Sequence, residues 1–202
     1  MDKEKILCLF DVDGTLTPAR QSVDPDMDRF LQNIREKVMV GIVSGSDLPK
    51  LEEQLSSPLG SVLDRFPYVF PENGAAAFKN GALVRHESIS DALGDHVLTR
   101  IVNFCLRYIA DLDIPKKRGT FIEYRKAQLN ISPVGRNCSQ AEREEFNAFD
   151  KEHKVREKFV QALQKEFTDV PLEFAIGGQI SIDAYPVGWD KRYCLQFLEG
   201  EG

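Results

Sequence analysis

A short apolar run near the start of the chain ends in two aspartates, and this junction constrains the fold more than any other feature. Residues 6–10 (ILCLF) are uniformly apolar, and DVDGT follows directly at residues 11–15. An apolar run that stops at a turn signal predicts a buried central strand of an α/β sheet. Ligands of such sheets bind at the carboxyl ends of the strands, where Asp11 and Asp13 would emerge.

Two acids separated by one residue and followed by a glycine indicate phosphorylation of an aspartate. One carboxylate attacks phosphorus, while its neighbour handles the proton of the leaving or attacking oxygen. The alternative is a turn rich in Asp and Gly with no chemical role, since both residues favour turns. The strand predicted just before the pair supplies the context that the functional interpretation needs.

Bulk composition narrows the class of protein. The 202 residues carry a formal charge of −6 and a pI near 5.2, which argues against nucleic-acid binding as the main activity. The four cysteines are scattered without a CxxC pair, so we predict neither disulfides nor zinc. The charged start lacks the apolar stretch of a signal peptide, and no apolar run reaches about 18 residues. These features predict a cytoplasmic protein without a membrane span.

The order of predicted elements indicates two domains. Strands at 6–10, 38–43 and 68–70 alternate with helices that start near Asp24-Pro25 and Pro49, and a hairpin turns at Asn80-Gly81. The pattern changes beyond about residue 85. A helical stripe at 89–112 is followed by strands at 120–124 and 128–132. A helical stretch then runs from a Ser139/Glu142 capping box to Phe167, and two more strands follow at 172–176 and 179–183. We therefore predict a catalytic core at 1–84, an inserted α+β domain at 85–187 and a return to the core at 188–202.

Two further features are candidates for binding phosphate in the core. Ser44-Gly45-Ser46 follows the second strand, where a hydroxyl and bare backbone N–H groups can hold phosphate oxygens. Lys191 can neutralise charge gathered by Asp11 and a phosphate. The alternatives are a routine helix cap for Ser44 and an exposed helical lysine for Lys191.

The inserted domain holds candidates for a second phosphate site. Arg125, Arg136 and Arg143 follow or begin predicted elements, and arginine forks match phosphate oxygens in bidentate fashion. On spacing alone, surface ion pairs with Glu123, Glu142 and Glu144 are the favoured alternative. Ser181 and Asp183 share one face of a strand and offer a donor and an acceptor to sugar hydroxyls, although a solvated strand face has the same pattern.

Longer motifs give the chain a family resemblance. The DVDGT element resembles the signature of haloacid-dehalogenase-type phosphotransferases. Four segments closely resemble eukaryotic phosphomannomutases, and the similarity extends over essentially the whole chain: residues 10–20 (FDVDGTLTPAR), 117–124 (KRGTFIEY), 130–136 (NISPVGR) and 188–195 (GWDKRYCL). The resemblance implies an α/β fold, with a haloacid-dehalogenase-like Rossmannoid core and an inserted α+β cap domain that closes over the site.

The resemblance also implies an activity and a set of site residues. Mannose 6-phosphate and mannose 1-phosphate would interconvert through a hexose 1,6-bisphosphate, in a step that feeds GDP-mannose synthesis. Asp11 would be the nucleophile and Asp13 the general acid/base, and both would bind Mg²⁺, Asp13 through its backbone carbonyl. The sugar-phosphate contacts would be Arg20, Arg125, Arg136, Arg143, Ser181 and Asp183. Mannose or glucose 1,6-bisphosphate would be the activator, and the caps would join a cytosolic homodimer.

One departure from the family pattern concerns the end of the sequence. Family members continue with another strand and a loop of the Gly-Asp…Gly-Asn-Asp type whose acids complete the Mg²⁺ site, whereas this sequence stops at Gly202. For this form we expect weak or absent activity. Two other functions stay open: a sugar-phosphate phosphatase with the same nucleophile, and a non-catalytic module that dimerises through its cap. The choice between mannose and glucose phosphates also stays open.

Overall fold

A computed structural model describes residues 6–18 and 21–200, and the chain divides into two compact units. One unit runs to Glu87 and resumes at Gly188, and the other is Ser88–Val187. The division falls after Glu87 and not after residue 84, because the last strand of the first unit continues to His86 and the Glu87 N–H donates to the Ala75 carbonyl (2.9 Å). No helix in the described ranges is long and apolar enough to cross a membrane.

The described residues form nine strands, eight α-helices and one 3₁₀ turn (Glu72–Gly74). The strands are β1 (Leu7–Asp11), β2 (Met39–Val43), β3 (Tyr68–Phe70), β4 (Ala76–Lys79), β5 (Ala82–His86), β6 (Ile122–Tyr124), β7 (Leu129–Ile131), β8 (Leu172–Gly177) and β9 (Ser181–Pro186). The helices are α1 (Pro25–Arg35), α2 (Leu48–Leu55), α3 (Val62–Arg65), α4 (Ile89–Leu93), α5 (Asp95–Asp111), α6 (Gln140–His153), α7 (Val155–Glu166) and α8 (Tyr193–Glu199).

The first unit is built on a five-stranded sheet in the order β1-β2-β3-β4-β5. β1, β2 and β3 are parallel, as the alternation of strands and helices predicts, and the β4–β5 hairpin turns at Asn80-Gly81. Asp11 is opposite Val43, and Val43 is opposite Phe70. The carboxyl ends of the three parallel strands therefore meet at one edge of this sheet.

Capping of its first turn and burial of one side chain in the core stabilise α1. Asp24 caps α1 by accepting from the Asp26 and Met27 N–H groups (2.8 and 3.1 Å), which satisfies donors that the helix leaves unpaired. Leu31 of this helix is fully buried in the core. Phe30, the preceding residue, is half exposed.

The second unit is a four-stranded antiparallel sheet in the order β6-β7-β9-β8. One sheet face packs on α5 and α7, with Ile131, Ile182 and Phe159 among its buried residues. The Ser139/Glu142 capping box is confirmed. Both long helical predictions for this unit are wrong in one respect, since each is broken: Gly94 has φ +77° between α4 and α5, and Lys154 is left-handed between α6 and α7.

Candidate active site

Asp11 and Lys191 form an ion pair at the edge of the first unit's sheet. Asp11 is the last residue of β1, and its Oδ2 lies 2.8 Å from Lys191 Nζ. Both side chains are partly exposed, so the pair adds little to folding stability. Its effect is local: a cation stands beside the carboxylate at the position where a phosphate would add further negative charge.

Lys191 is brought to Asp11 by a segment that aromatic packing fixes in place. The Trp189 ring stacks on the Tyr193 ring at 5.2 Å between centroids, and the Arg85 guanidinium lies 4.1 Å from the centre of the Tyr193 ring. The Tyr193 hydroxyl donates to Glu87. Burial, together with this hydrogen bond, raises the pKa of Tyr193 to about 12, so the hydroxyl keeps its proton at neutral pH.

Asp13 lies in the turn after β1, and its carboxylate accepts a hydrogen bond from the buried side-chain amide of Gln54. Gly14 adopts φ +80°, which favours glycine, and its N–H donates to the Thr17 carbonyl (2.7 Å). Gln54 of α2 donates through Nε2 to Asp13 Oδ1 (2.8 Å) and to Thr17 Oγ1 (3.3 Å). The sequence reasoning missed Gln54, although a polar residue beside the buried Leu55 of α2 was an available signal.

The loop after β2 lies at the same edge of the sheet. Ser44 is buried, and its Oγ accepts the Ser46 N–H at 3.1 Å. A hydroxyl that accepts one bond still has a proton to donate, so Ser44 can bind an anion. Asn73, in the turn after β3, packs on this loop: its N–H donates to the Ser44 carbonyl (2.8 Å), and a Cβ added to Gly45 would lie 3.4 Å from Asn73 Oδ1. Asn73 is a second residue that the sequence reasoning missed.

The metal-binding capacity of this edge rests on Asp11 and Asp13. Mg²⁺ prefers hard oxygen ligands and is commonly held by one or two carboxylates plus substrate phosphates and water. The two aspartates fit that kind of site. Within residues 6–18 and 21–200, no three His, Cys, Asp or Glu side chains come together as a complete set of ligands.

In the second unit, one carboxylate joins two of the predicted arginines. Glu123 Oε2 accepts from Arg125 Nε (3.0 Å) and Nη2 (2.7 Å), and it lies 3.0 Å from Arg136 Nε. Arg136 Nη1 also donates to Asn130 Oδ1 at 2.6 Å. The ion pair with Glu123 that the spacing favoured is therefore present, and it also draws the two guanidinium groups together.

Asp183 belongs to the same polar face of this sheet. Glu123 is opposite Asn130 in the β6–β7 register, and Asn130 is opposite Asp183 in the β7–β9 register. Asp183 Oδ1 accepts from Asn130 Nδ2 (2.6 Å) and Gln128 Nε2 (3.2 Å). Burial raises the pKa of the Asp183 carboxyl, while the Asn130 hydrogen bond and the charges of Arg125 and Arg136 act in the opposite direction.

The backbone of β8 passes close to the Asp183 carboxylate at Gly177. A Cβ added to Gly177 would lie 2.4 Å from Asp183 Oδ2, closer than non-bonded atoms can approach. Ser181 is buried opposite Gly177, and its hydroxyl has no hydrogen-bond partner among residues 6–18 and 21–200. Arg156 fixes this end of the hairpin, because its Nη1 donates to the Gly177, Gly178 and Ser181 carbonyls at 3.0–3.2 Å.

Arg143 does not belong to this network. Arg143 lies in the first turns of α6, and in the described part of the chain its side chain makes no hydrogen bond or ion pair, not even with Glu142 or Glu144. The predicted convergence of three arginines is thus seen for Arg125 and Arg136 only. Arg20 lies outside the described residues.

Solved structures share this fold at low sequence identity. A haloacid dehalogenase-like hydrolase from Bacteroides thetaiotaomicron matches with a TM-score of 0.56 at 15% identity, over 96% of this chain and 76% of that one. The C-terminal domain of the C. albicans trehalose-6-phosphate phosphatase matches with a TM-score of 0.61 at 21% identity, over 95% and 60%. The protein therefore has a haloacid-dehalogenase-like α/β core with an inserted α+β cap domain, as the sequence predicts.

Curated relatives define the family within that class. Phosphomannomutase 1 from Mus musculus is 54% identical over 197 residues, which cover 98% of this chain and 75% of that protein. The phosphomannomutase of Schizosaccharomyces pombe is 56% identical over 198 residues, which cover 98% and 77%. The family model described as eukaryotic phosphomannomutase matches residues 27–202. The chain belongs to the eukaryotic phosphomannomutase family.

Proposed function

We propose that this protein interconverts D-mannose 6-phosphate and α-D-mannose 1-phosphate, through an aspartyl phosphate and a hexose 1,6-bisphosphate. The observation that carries the proposal is the identity of 54–56% to phosphomannomutases over 98% of the chain. The position of Asp11 and Asp13 at the end of β1 supports the same chemistry, because this is the edge of a parallel sheet at which ligands bind.

The reaction needs one phosphoryl acceptor and one proton carrier. A phosphorylated Asp11 passes its phosphoryl group to the C1 hydroxyl of mannose 6-phosphate: the new P–O bond forms, the Asp11–phosphorus bond breaks, and Asp13 takes the hydroxyl proton. The bisphosphate then presents its 6-phosphate to Asp11. That phosphoryl group moves back to the aspartate, and Asp13 returns the proton to the leaving oxygen, which releases mannose 1-phosphate.

Charge neutralisation is the other requirement, since phosphoryl transfer depends on positioning and electrostatics. Lys191 stands 2.8 Å from Asp11 Oδ2 and can offset the charge gathered there, and the Ser44 hydroxyl and the Gly45 N–H can hold phosphate oxygens. The Asp11 carboxylate and the Asp13 backbone carbonyl would hold Mg²⁺, which when bound neutralises phosphate charge.

The sugar phosphate also needs a site for the phosphate that is not reacting. Arg125 and Arg136 are the proposed ligands of this distal phosphate, with Arg143 as a further cation and Arg20 assigned by family resemblance. Ser181 and Asp183 are proposed to contact the sugar hydroxyls. The Ser181 hydroxyl and the Asp183 carboxylate provide a donor and an acceptor on one strand.

Assembly and location extend the proposal. We infer from family membership a homodimer that forms through the second unit, mannose or glucose 1,6-bisphosphate as activator, and a cytoplasmic location. Light scattering behind a sizing column tests the assembly. A mass equal to one chain at micromolar concentration would contradict the dimer.

Phosphorus NMR tests the reaction directly. The full chain is incubated with mannose 1-phosphate, Mg²⁺ and glucose 1,6-bisphosphate, with the Schizosaccharomyces pombe relative as positive control. We expect the mannose 6-phosphate signal to grow without release of inorganic phosphate. Release of inorganic phosphate without isomerisation would contradict the mutase and identify a phosphatase that uses the same nucleophile.

A further inference from the structure

Glu123 occupies the hydrogen-bond donors that the proposed function assigns to phosphate. Its Oε2 accepts from two nitrogens of Arg125 (3.0 and 2.7 Å) and lies 3.0 Å from Arg136 Nε. The Nε and Nη2 edge of arginine is the planar fork that binds a carboxylate or a phosphate in bidentate fashion. One carboxylate oxygen therefore stands where a phosphate oxygen would be expected to bind.

This carboxylate is fixed by its strand and yet open to solvent. Glu123 lies within β6, opposite Asn130 of β7, so strand pairing holds its backbone beside the two arginines. Its side chain is 38% exposed, so an incoming anion can reach the same donors. A tethered competitor acts at a high effective concentration, which lowers the apparent affinity of every free anion for those donors.

A mutase has a particular need for such a competitor. Its bisphosphate intermediate carries two phosphates and must exchange them between the reacting and distal positions once in each turnover. A distal site that binds phosphate too tightly would slow this exchange, because release often limits the rate of an enzyme. When phosphate leaves, the Glu123 carboxylate binds the two guanidinium groups again and so replaces the contacts that they lose.

We propose that Glu123 is an internal counter-ion of the distal phosphate site, which holds the Arg125 and Arg136 guanidinium groups when phosphate is absent and promotes phosphate release. This inference rests on the proposed function, because it takes both arginines as phosphate ligands. Glu123 is a positioning residue in this account, since it touches the arginines and not the substrate.

The test is Glu123→Gln, which keeps the size of the side chain and an acceptor oxygen but removes the charge. Sulfate serves as a phosphate probe, and the Nε–Hε NMR signals of Arg125 and Arg136 in the full chain report its binding without any turnover. Hydrogen bonds that involve a charged partner are markedly stronger than neutral ones, so sulfate affinity should rise roughly tenfold in the variant. For mannose 1-phosphate, both KM and kcat should fall.

Asp169→Asn is the matched control, because Asp169 is an exposed partner of Arg100 in the same unit and the charge change is identical. This control should leave the sulfate affinity at Arg125 and Arg136 unchanged. An equal rise in both variants would reduce the effect to bulk charge and overturn the inference. Weaker sulfate binding or a higher KM in Glu123→Gln would overturn it too.

The two readouts separate this inference from the function on which it rests. If the native chain shows no isomerisation while sulfate binds more tightly to Glu123→Gln, the mutase proposal and the release role both fail, and only the counter-ion role survives. If sulfate does not shift the Arg125 and Arg136 signals of the native chain at all, the phosphate site itself is contradicted. A fall of KM together with kcat is the combination that a purely structural role of Glu123 would not produce.

Discussion

The two units position their polar and charged side chains in different ways. In the first unit, Asp11 and Asp13 lie two residues apart where β1 ends, and Lys191 and Gln54 come to them from distant segments. In the second unit, Glu123, Asn130 and Asp183 lie on three different strands, and the register of the sheet brings them into one row. We propose a matching division of roles, in which the local motif of the first unit supplies the reacting groups and the paired strands of the second unit supply the groups that bind the sugar phosphate.

Asp13→Asn should have the largest effect, because it should lower kcat without changing anion binding in the second unit. An amide cannot carry the transferred proton, so kcat should fall by about 10²- to 10⁴-fold, while KM changes little. Steady-state kinetics on the full chain measures this effect. Sulfate binding at Arg125 and Arg136 should remain unchanged, because these residues belong to the other unit. A loss of kcat below about tenfold would contradict the assigned role of Asp13.

Arg156→Met removes one partner of a buried ion pair that stabilises the second unit. Arg156 and Asp150 are both buried, and Asp150 accepts from the Arg156 N–H and Nε at 2.7 and 2.8 Å. Removal of one partner leaves an uncompensated buried charge, so the free energy of unfolding should fall by about 3–5 kcal/mol in urea unfolding. The control is the double variant Arg156→Met/Asp150→Leu, which should recover only part of the loss, because it removes the unpaired charge but still leaves the three carbonyls that Arg156 Nη1 satisfied without a donor. Equal destabilisation by the single and double variants would contradict this account.

Arg136→Lys tests whether the second unit contributes binding and not chemistry. Lysine keeps the charge but loses the planar fork that would bind the substrate phosphate in bidentate fashion, so KM for mannose 1-phosphate should rise roughly tenfold with little change in kcat. Arg100→Lys is the matched control, because Arg100 pairs with Asp169 away from the polar sheet face. A fall in kcat at constant KM would break the proposed division of roles.

Glu142→Gln should have the smallest effect, and that effect should depend on pH. The Arg118 hydrogen bond, and next the Ser139 N–H, lower the pKa of Glu142 from 4.5 to about 2. A lowered pKa contributes stability above the unfolded value, and this contribution is lost as pH falls from about 4.5 towards 2. Urea midpoints at neutral pH and inside that window should differ more for the native chain than for Glu142→Gln. An equal loss in both proteins would contradict the assignment.

The sequence was most informative where chemistry and strand are adjacent in the chain. Residues 6–15 predicted both β1 and the edge at which Asp11 lies, because burial, turn and reactive acids follow one another. Gln54 went undetected, since its partner Asp13 is 41 residues away and only the packing of α2 brings them together. The contact of Glu123 with two arginines depends on strand register, so spacing alone could propose an ion pair but not a shared carboxylate.

The sequence pattern was also insufficient to predict where two of the helices are interrupted. Gly94 breaks the predicted helix between α4 and α5 at φ +77°, and a glycine inside a helical pattern is an available warning. Lys154 breaks the next one in a left-handed conformation that lysine seldom adopts. The buried pair of Asp150 and Arg156 flanks that break, so tertiary packing and not local preference sets it.

The proposed mechanism requires that Asp11 carry the phosphoryl group, and the phosphorylated residue can be identified. The full chain is mixed with ³²P-labelled glucose 1,6-bisphosphate and Mg²⁺, quenched in acid and mapped by mass spectrometry. We expect label on Asp11 that a sugar monophosphate removes, and no label in Asp11→Asn. Label on any other residue, or label that persists in Asp11→Asn, would contradict it.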